Sequence, residues 1–169
     1  MDLSTKKVSR VNDATAVGYF ARYQGGVFQF IVSDPIYAEI RPESTTTATI
    51  FAENIGRGIS VSSPANPNSS GGRTVLYTQL SDNNALITEW NPKTDRKQQL
   101  TFTPEAVQDF ALDASGGIWI GSGSKLYRWH REEPDWKLMG DLSHWGIKEI
   151  SRISIHQSNL ALVAIENPS

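Results

Sequence analysis

The sequence predicts an all-β chain, and three observations carry that prediction. Helical periodicity is nearly missing. Short segments that alternate apolar and polar residues recur instead, punctuated by Gly, Pro, Asn, Asp and Ser. Apolar motifs also return at intervals of about 39 to 43 residues, close to the roughly 40–45 residues of a four-stranded propeller blade. The expected architecture is a β-propeller or partial propeller of about three to four four-stranded blades. The 169 residues and 18.7 kDa suit one domain, expected to span 1–169.

The elements follow in order. Residues 1–15 are expected to form a flexible N-terminal segment. Its opening, MDLSTKKVSR, leads into no unbroken apolar stretch of the kind a signal peptide needs. Candidate strands cover 16–23, 26–33, 36–41, 47–53 and 58–63. Residues 62–72, rich in Ser, Pro, Asn and Gly, read as an exposed loop insertion. Further strands are expected at 73–80, 85–91, 97–102, 108–113, 117–121, 125–130, 136–140, 150–156 and 160–165. Single helical turns are expected at 103–109, opened by Pro104, and at 144–149.

The repeat assigns these strands to blades. Val75 to Thr78 aligns with Ile118 to Gly121 and with Leu160 to Val163. Ile87 to Trp90 aligns with Leu126 to Trp129, and Phe110 to Leu112 with Ile153 to Ile155. The last repeat supplies only two strands. Because open sheet edges expose unpaired amides, it calls for completion by the N-terminal strands 16–23 and 26–33, by a second chain, or by further propeller strands.

At residues 109–129 a known pattern emerges. Asp113-Ala114-Ser115-Gly116-Gly117-Ile118-Trp119-Ile120-Gly121, followed by Leu126-Tyr127-Arg128, resembles the two-component-regulator type of propeller repeat, which is also WD-like in length. There an Asp-x-x-Gly turn precedes an apolar-Trp-apolar-Gly strand. The resemblance covers one blade, and the flanking blades keep only the apolar skeleton. It implies a β-propeller and carries no function, since such repeats serve sensing, binding and enzymatic proteins alike.

Composition narrows the chemistry. The net charge of −2 and pI near 5.9 lack the basic field that nucleic acids require. No apolar run approaches the roughly 20 residues of a membrane helix, so neither nucleic acid nor membrane is an expected partner. Cysteine is absent, which removes disulfides, thiolate metal sites and cysteine nucleophiles. The missing signal peptide and cysteines favour the cytoplasm.

The remaining motifs read structurally. Asp113 to Gly117 is a tight turn in which the carboxylate caps backbone amides, and its spacing fails that of a sialidase-type Asp box. Gly121-Ser122-Gly123-Ser124-Lys125 lacks the phosphate-loop spacing and a following helix. His130, His144 and His156 stand too far apart in sequence for a zinc pair, and no Gly-x-Ser-x-Gly elbow is present. Trp90 and Trp129 occupy equivalent repeat positions and are expected to pack between blades.

These readings point to a non-catalytic module that contacts a protein partner through loops of one face. No catalytic residue, cofactor or metal is expected. Trp145 and His144, in a predicted loop, are the leading contact candidates, joined by Arg131 and the 62–72 loop. The alternative is a lectin-like propeller that binds a glycan in pockets involving Arg128 and Glu89. An enzyme with a site at the ring centre has the least support. A homo-oligomer that completes the ring is one of the three completions left open above.

Overall fold

A computed structural model describes residues 17–23, 26–31, 36–42, 48–62, 73–156 and 159–166. The expected 1–15 segment and most of the 62–72 loop lie outside the described residues. The fold is all-β, with fourteen strands among the described residues. Strands β1 (Val17–Tyr23), β2 (Gly26–Ile31), β3 (Tyr37–Pro42) and β4 (Thr49–Glu53) form the first antiparallel meander. Strands β5 (Ile55–Val61), β6 (Val75–Ser81), β7 (Asn84–Asn91) and β8 (Arg96–Phe102) form the second. The third contains β9 (Ala111–Leu112), β10 (Ile118–Ser122), β11 (Lys125–Trp129) and β12 (Lys137–Asp141). A two-stranded sheet of β13 (Ile147–His156) and β14 (Asn159–Glu166) follows.

The sheets stack face to face through their first strands. Strand β1 packs beside β5, β5 beside β9, and β13 beside both β9 and β10. The guanidinium of Arg152 in β13 lies 5.3 Å from the ring centroid of Tyr19 in β1, so the last innermost strand faces the first. Three apolar layers fill the spaces between sheets. Phe28, Phe51, Tyr77 and Trp90 lie between the first two, Leu76, Ile87, Phe110, Ile118, Ile120 and Trp129 between the next pair, and Leu126, Leu142, Ile150 and Ile153 against the final hairpin.

Period-2 alternation builds these layers. In β6, Val75 and Tyr77 face the first sheet while Leu76 faces the third. Both faces are therefore buried, which explains why β6 and β10 read as nearly continuous apolar runs. Trp90 and Trp129 are each only 6% exposed and face the preceding sheet from the third strand of their blade. Trp90 stacks on Phe51 with centroids 4.5 Å apart and planes at 10°.

Several expectations change. The N-terminal strands do not complete the last blade, because β1 and β2 are hydrogen-bonded into a sheet of their own with β3 and β4. Strand β9 shrinks to two residues. The Gln108 carbonyl accepts from the Gly58 amide at 2.6 Å and from Thr78 Oγ1 at 3.1 Å, both in the second sheet, so this stretch is tied to a neighbour instead of its own ladder. The turn expected at 144–149 is a single 3₁₀ turn at Ser143–Trp145, and β13 begins directly after Gly146, which closes the turn at φ 80°.

Candidate functional site

Topology sorts the expected contact residues into two groups. In an antiparallel meander, the first and third connections lie at one end and the second lies at the other. The connection to the next sheet shares the end of the second. His144 and Trp145 sit between β12 and β13 and belong to that end. Arg131, just after β11, belongs to the opposite end, while residues 63–72 of the expected contact loop lie outside the described residues. The expectation that these residues share one face is therefore corrected: alternation of the meander sends them to opposite ends.

At the end of the first and third turns, Arg128, Arg131 and Glu89 serve the scaffold. Asp113 Oδ1 accepts from the Ser115 amide at 2.9 Å and the Gly117 amide at 2.8 Å, which fixes the β9–β10 turn. Its Oδ2 accepts from Trp119 Nε1 and Arg128 Nε, each at 2.9 Å. Arg128 also donates to Ser115 Oγ at 2.9 Å and lies 5.9 Å from the Trp119 ring centroid. Desolvation works to raise the Asp113 pKa, but the hydrogen bonds from Ser115, Trp119, Arg128 and Gly117 outweigh it and hold the carboxyl well below the usual carboxylate range. A Cβ on Gly117 would collide with both Asp113 and Arg128, so the second glycine of the turn serves close packing while Gly116 supplies the positive φ of 84°. Glu89 accepts from Thr74 Oγ1 at 2.7 Å and pairs with Arg131 at 2.8 Å, which links the second and third blades. Arg128 and Glu89 thus have separate partners. A polar recess of about 320 Å³ does lie beside Glu89, bounded by Thr74, Asn91, Thr94, Arg96 and Gln98.

The other end carries the exposed features. Trp145 is 67% exposed, and the His144 ring lies 4.1 Å from it at 45°. Their turn is held at both sides. The Trp145 amide donates to Leu142 O at 3.0 Å, the Leu142 amide donates to Ser124 O at 2.9 Å, and Leu142 itself is buried. Asp141 accepts from the Ser143 amide and Ser124 Oγ, and the Ser143 amide leads the causes that lower its pKa to about 2.

Nearby at this end, beside the innermost strands, lies a cleft of about 430 Å³. Arg57 reaches it from β5, Glu105 and Asp109 from the segment before β9, and Lys148, Glu149 and Arg152 from β13. The Glu105 segment is braced: Thr103 Oγ1 donates to Val107 O at 2.8 Å, and the Glu105 carboxylate accepts a hydrogen bond from buried Ser122. Glu105 and Ala106 hold φ of 50° and 54°, a left-handed conformation that costs non-glycine residues energy and persists only where the surroundings fix it. Asp109 accepts from the Ile153 amide at 3.1 Å. Burial pushes its pKa up, against the Ile153 amide and the nearby charges of Arg152 and Arg57.

Sequence reasoning missed this cleft. A signal existed in Arg57, set between Gly56 and Gly58, and in Arg152, set among Ile150, Ile153 and Ile155: cations inside apolar or glycine-rich inner strands. Among the described residues, no group of three or more His, Asp or Glu side chains could hold a metal ion. His130 approaches the Ser115 carbonyl at one end while His144 lies at the other.

No protein-family model matches the chain, and no curated protein matches it. Among solved structures, a chain of the nidogen/laminin complex is similar, with a TM-score of 0.64 and 13% identity, over 86% of this chain and 54% of that chain. The extracellular domain of a one-component system from B. thetaiotaomicron aligns with a TM-score of 0.48 and 14% identity, over 94% of this chain and 27% of that chain. The chain therefore spans about half the length of the first. That first likeness, with the stacked meanders, makes the fold propeller-like.

Proposed function

We propose that this propeller-like chain is a non-catalytic binding module whose protein partner docks on the end that carries His144 and Trp145. The observation behind this reading is the exposed Trp145 ring, held beside His144 on a braced turn. Tryptophan combines a large apolar surface with an N–H donor, and such rings supply much of the binding energy at interfaces. A turn fixed by Asp141, Leu142 and Gly146 presents that ring with little ordering left to do. Partners recovered from a source lysate with the full chain are to be compared with those of the Trp145→Ala/His144→Ala chain. The reading expects at least one partner to fall by about tenfold or more. It fails if every recovered interaction survives the double substitution.

A second reading, glycan binding, draws on the polar recess beside Glu89, whose hydroxyl, amide, carboxylate and guanidinium groups suit sugar hydroxyls. A glycan array without a hit that depends on Arg96 would end it. Assembly of two chains belongs to the first reading, supported by the outer edge of β14, which has no strand partner among the described residues.

A further inference from the structure

The cleft at the inner strands is lined by charges of both signs that form no ion pair with one another among the described residues. Among the described residues, the side chains of Arg57, Lys148 and Glu149 have no hydrogen bond or ion pair. Arg152 donates to the backbone oxygen of Ser151 at 2.5 Å and rests over Tyr19, without a carboxylate partner. Asp109 accepts from the Ile153 amide and feels the charges of Arg152 and Arg57 without forming an ion pair with either. These groups come from β5, β13 and the braced segment before β9, three stretches of backbone that meet at the cleft.

Such an arrangement leaves guanidinium donors and carboxylate acceptors unused within one concavity. A polyanion would meet Asp109, Glu105 and Glu149, and a polycation would meet Arg57, Lys148 and Arg152. A molecule with one anionic and one cationic end satisfies both sets. The volume of about 430 Å³ falls in the range of roughly 300–1,000 Å³ that small-molecule sites occupy. We propose that this cleft binds a zwitterionic small molecule of amino-acid to dipeptide size, with its carboxylate on Arg57 and Arg152 and its ammonium on Asp109 and Glu149. Guanidinium groups suit the planar carboxylate, because two parallel N–H bonds fix its orientation. The Glu105–Ser122 hydrogen bond holds the wall in place.

The test uses the full chain and does not depend on the protein-partner reading. The common α-amino acids and glycylglycine are screened by thermal shift. All are then titrated into the ¹⁵N-labelled chain, and the amide signals of Gly121, Gly123 and Ile153, residues that line the cleft, are followed. At least one zwitterion is expected to move these amides saturably. Its N-acetyl and C-terminal amide derivatives, each missing one charge, are expected to bind at least about tenfold more weakly. Arg57→Gln and Asp109→Asn are each expected to weaken binding by a similar factor. Asparagine keeps an acceptor for the Ile153 amide, and Arg57 is exposed, so both variants should fold. The proposal is overturned if no member of the panel moves these amides saturably, or if the N-acetyl derivative binds as tightly as its parent. Loss of a protein partner on Trp145→Ala with an unresponsive cleft would remove this proposal and leave the partner reading standing.

Discussion

Trp145 and Trp129 are the same residue type under opposite constraints. Trp129 fills the layer between the second and third sheets, whereas Trp145 projects from a turn. Trp129→Ala is expected to cost about 3–5 kcal/mol by leaving a cavity, and Trp145→Ala under about 0.5 kcal/mol. Urea denaturation separates the two, and equal losses would contradict the assigned environments. Asp113 is a third kind of residue, a carboxylate that collects five donors from Ser115, Gly117, Trp119 and Arg128. Asp113→Ala removes the acceptor for all of them and is expected to cost about 2 kcal/mol. Its folded pKa and that of Asp141 are depressed, so the stability they contribute is present above the ordinary carboxylate pKa and is lost as pH falls. Asp109 has a raised pKa and acts in the opposite sense, since its protonation in acid relieves a burial cost. The urea midpoint is expected to fall as pH drops from about 4 toward 2, with a shallower slope in Asp113→Asn. A flat profile would show that these carboxylates do not govern acid stability.

At the scale of elements, the close approach of inner strands sets the tolerances. Gly121 of β10 lies where any Cβ would collide with Ile150 of β13. Gly121→Ala must push the hairpin away from the third sheet and is expected to cost about 1–3 kcal/mol through overpacking. Gly140, with open space around its Cα, should accept alanine within about 0.5 kcal/mol. Thermal melts of the two variants compare the sites directly, and a Gly121→Ala melt as high as that of Gly140→Ala would refute the packing of β13 on β10. The strands themselves were legible because their residues repeat the burial pattern. Residues 75–77 and 118–120 are apolar on both faces, and both lie in strands. The strand expected at 58–63 begins earlier, at Ile55, a start that was not legible because Gly56 and Gly58 give no apolar signal there.

At the scale of the molecule, three complete meanders and a hairpin leave the outer edge of β14 without a strand partner among the described residues. Val163 is 60% exposed and Ile165 54%, and β14 contains one charged residue, Glu166. An edge so long and so lightly charged invites another strand. Under the two-chain reading, light scattering should give a mass near twice 18.7 kDa that Val163→Lys returns to a single chain. A single-chain mass at high protein concentration would remove that assembly.

The sequence by itself determined the all-β class, the blade-length repeat and the burial of Trp90 and Trp129. Those properties follow from local alternation and from recurrence along the chain, and both are written in residue order. Only the tertiary structure decided that β1 to β4 form a separate meander, that Arg131 and Trp145 lie at opposite ends, and that Arg57, Asp109 and Arg152 share a cleft. Each depends on which strands pair and which ends meet. Those meetings join residues up to 95 positions apart, from Arg57 to Arg152, and no local pattern encodes them.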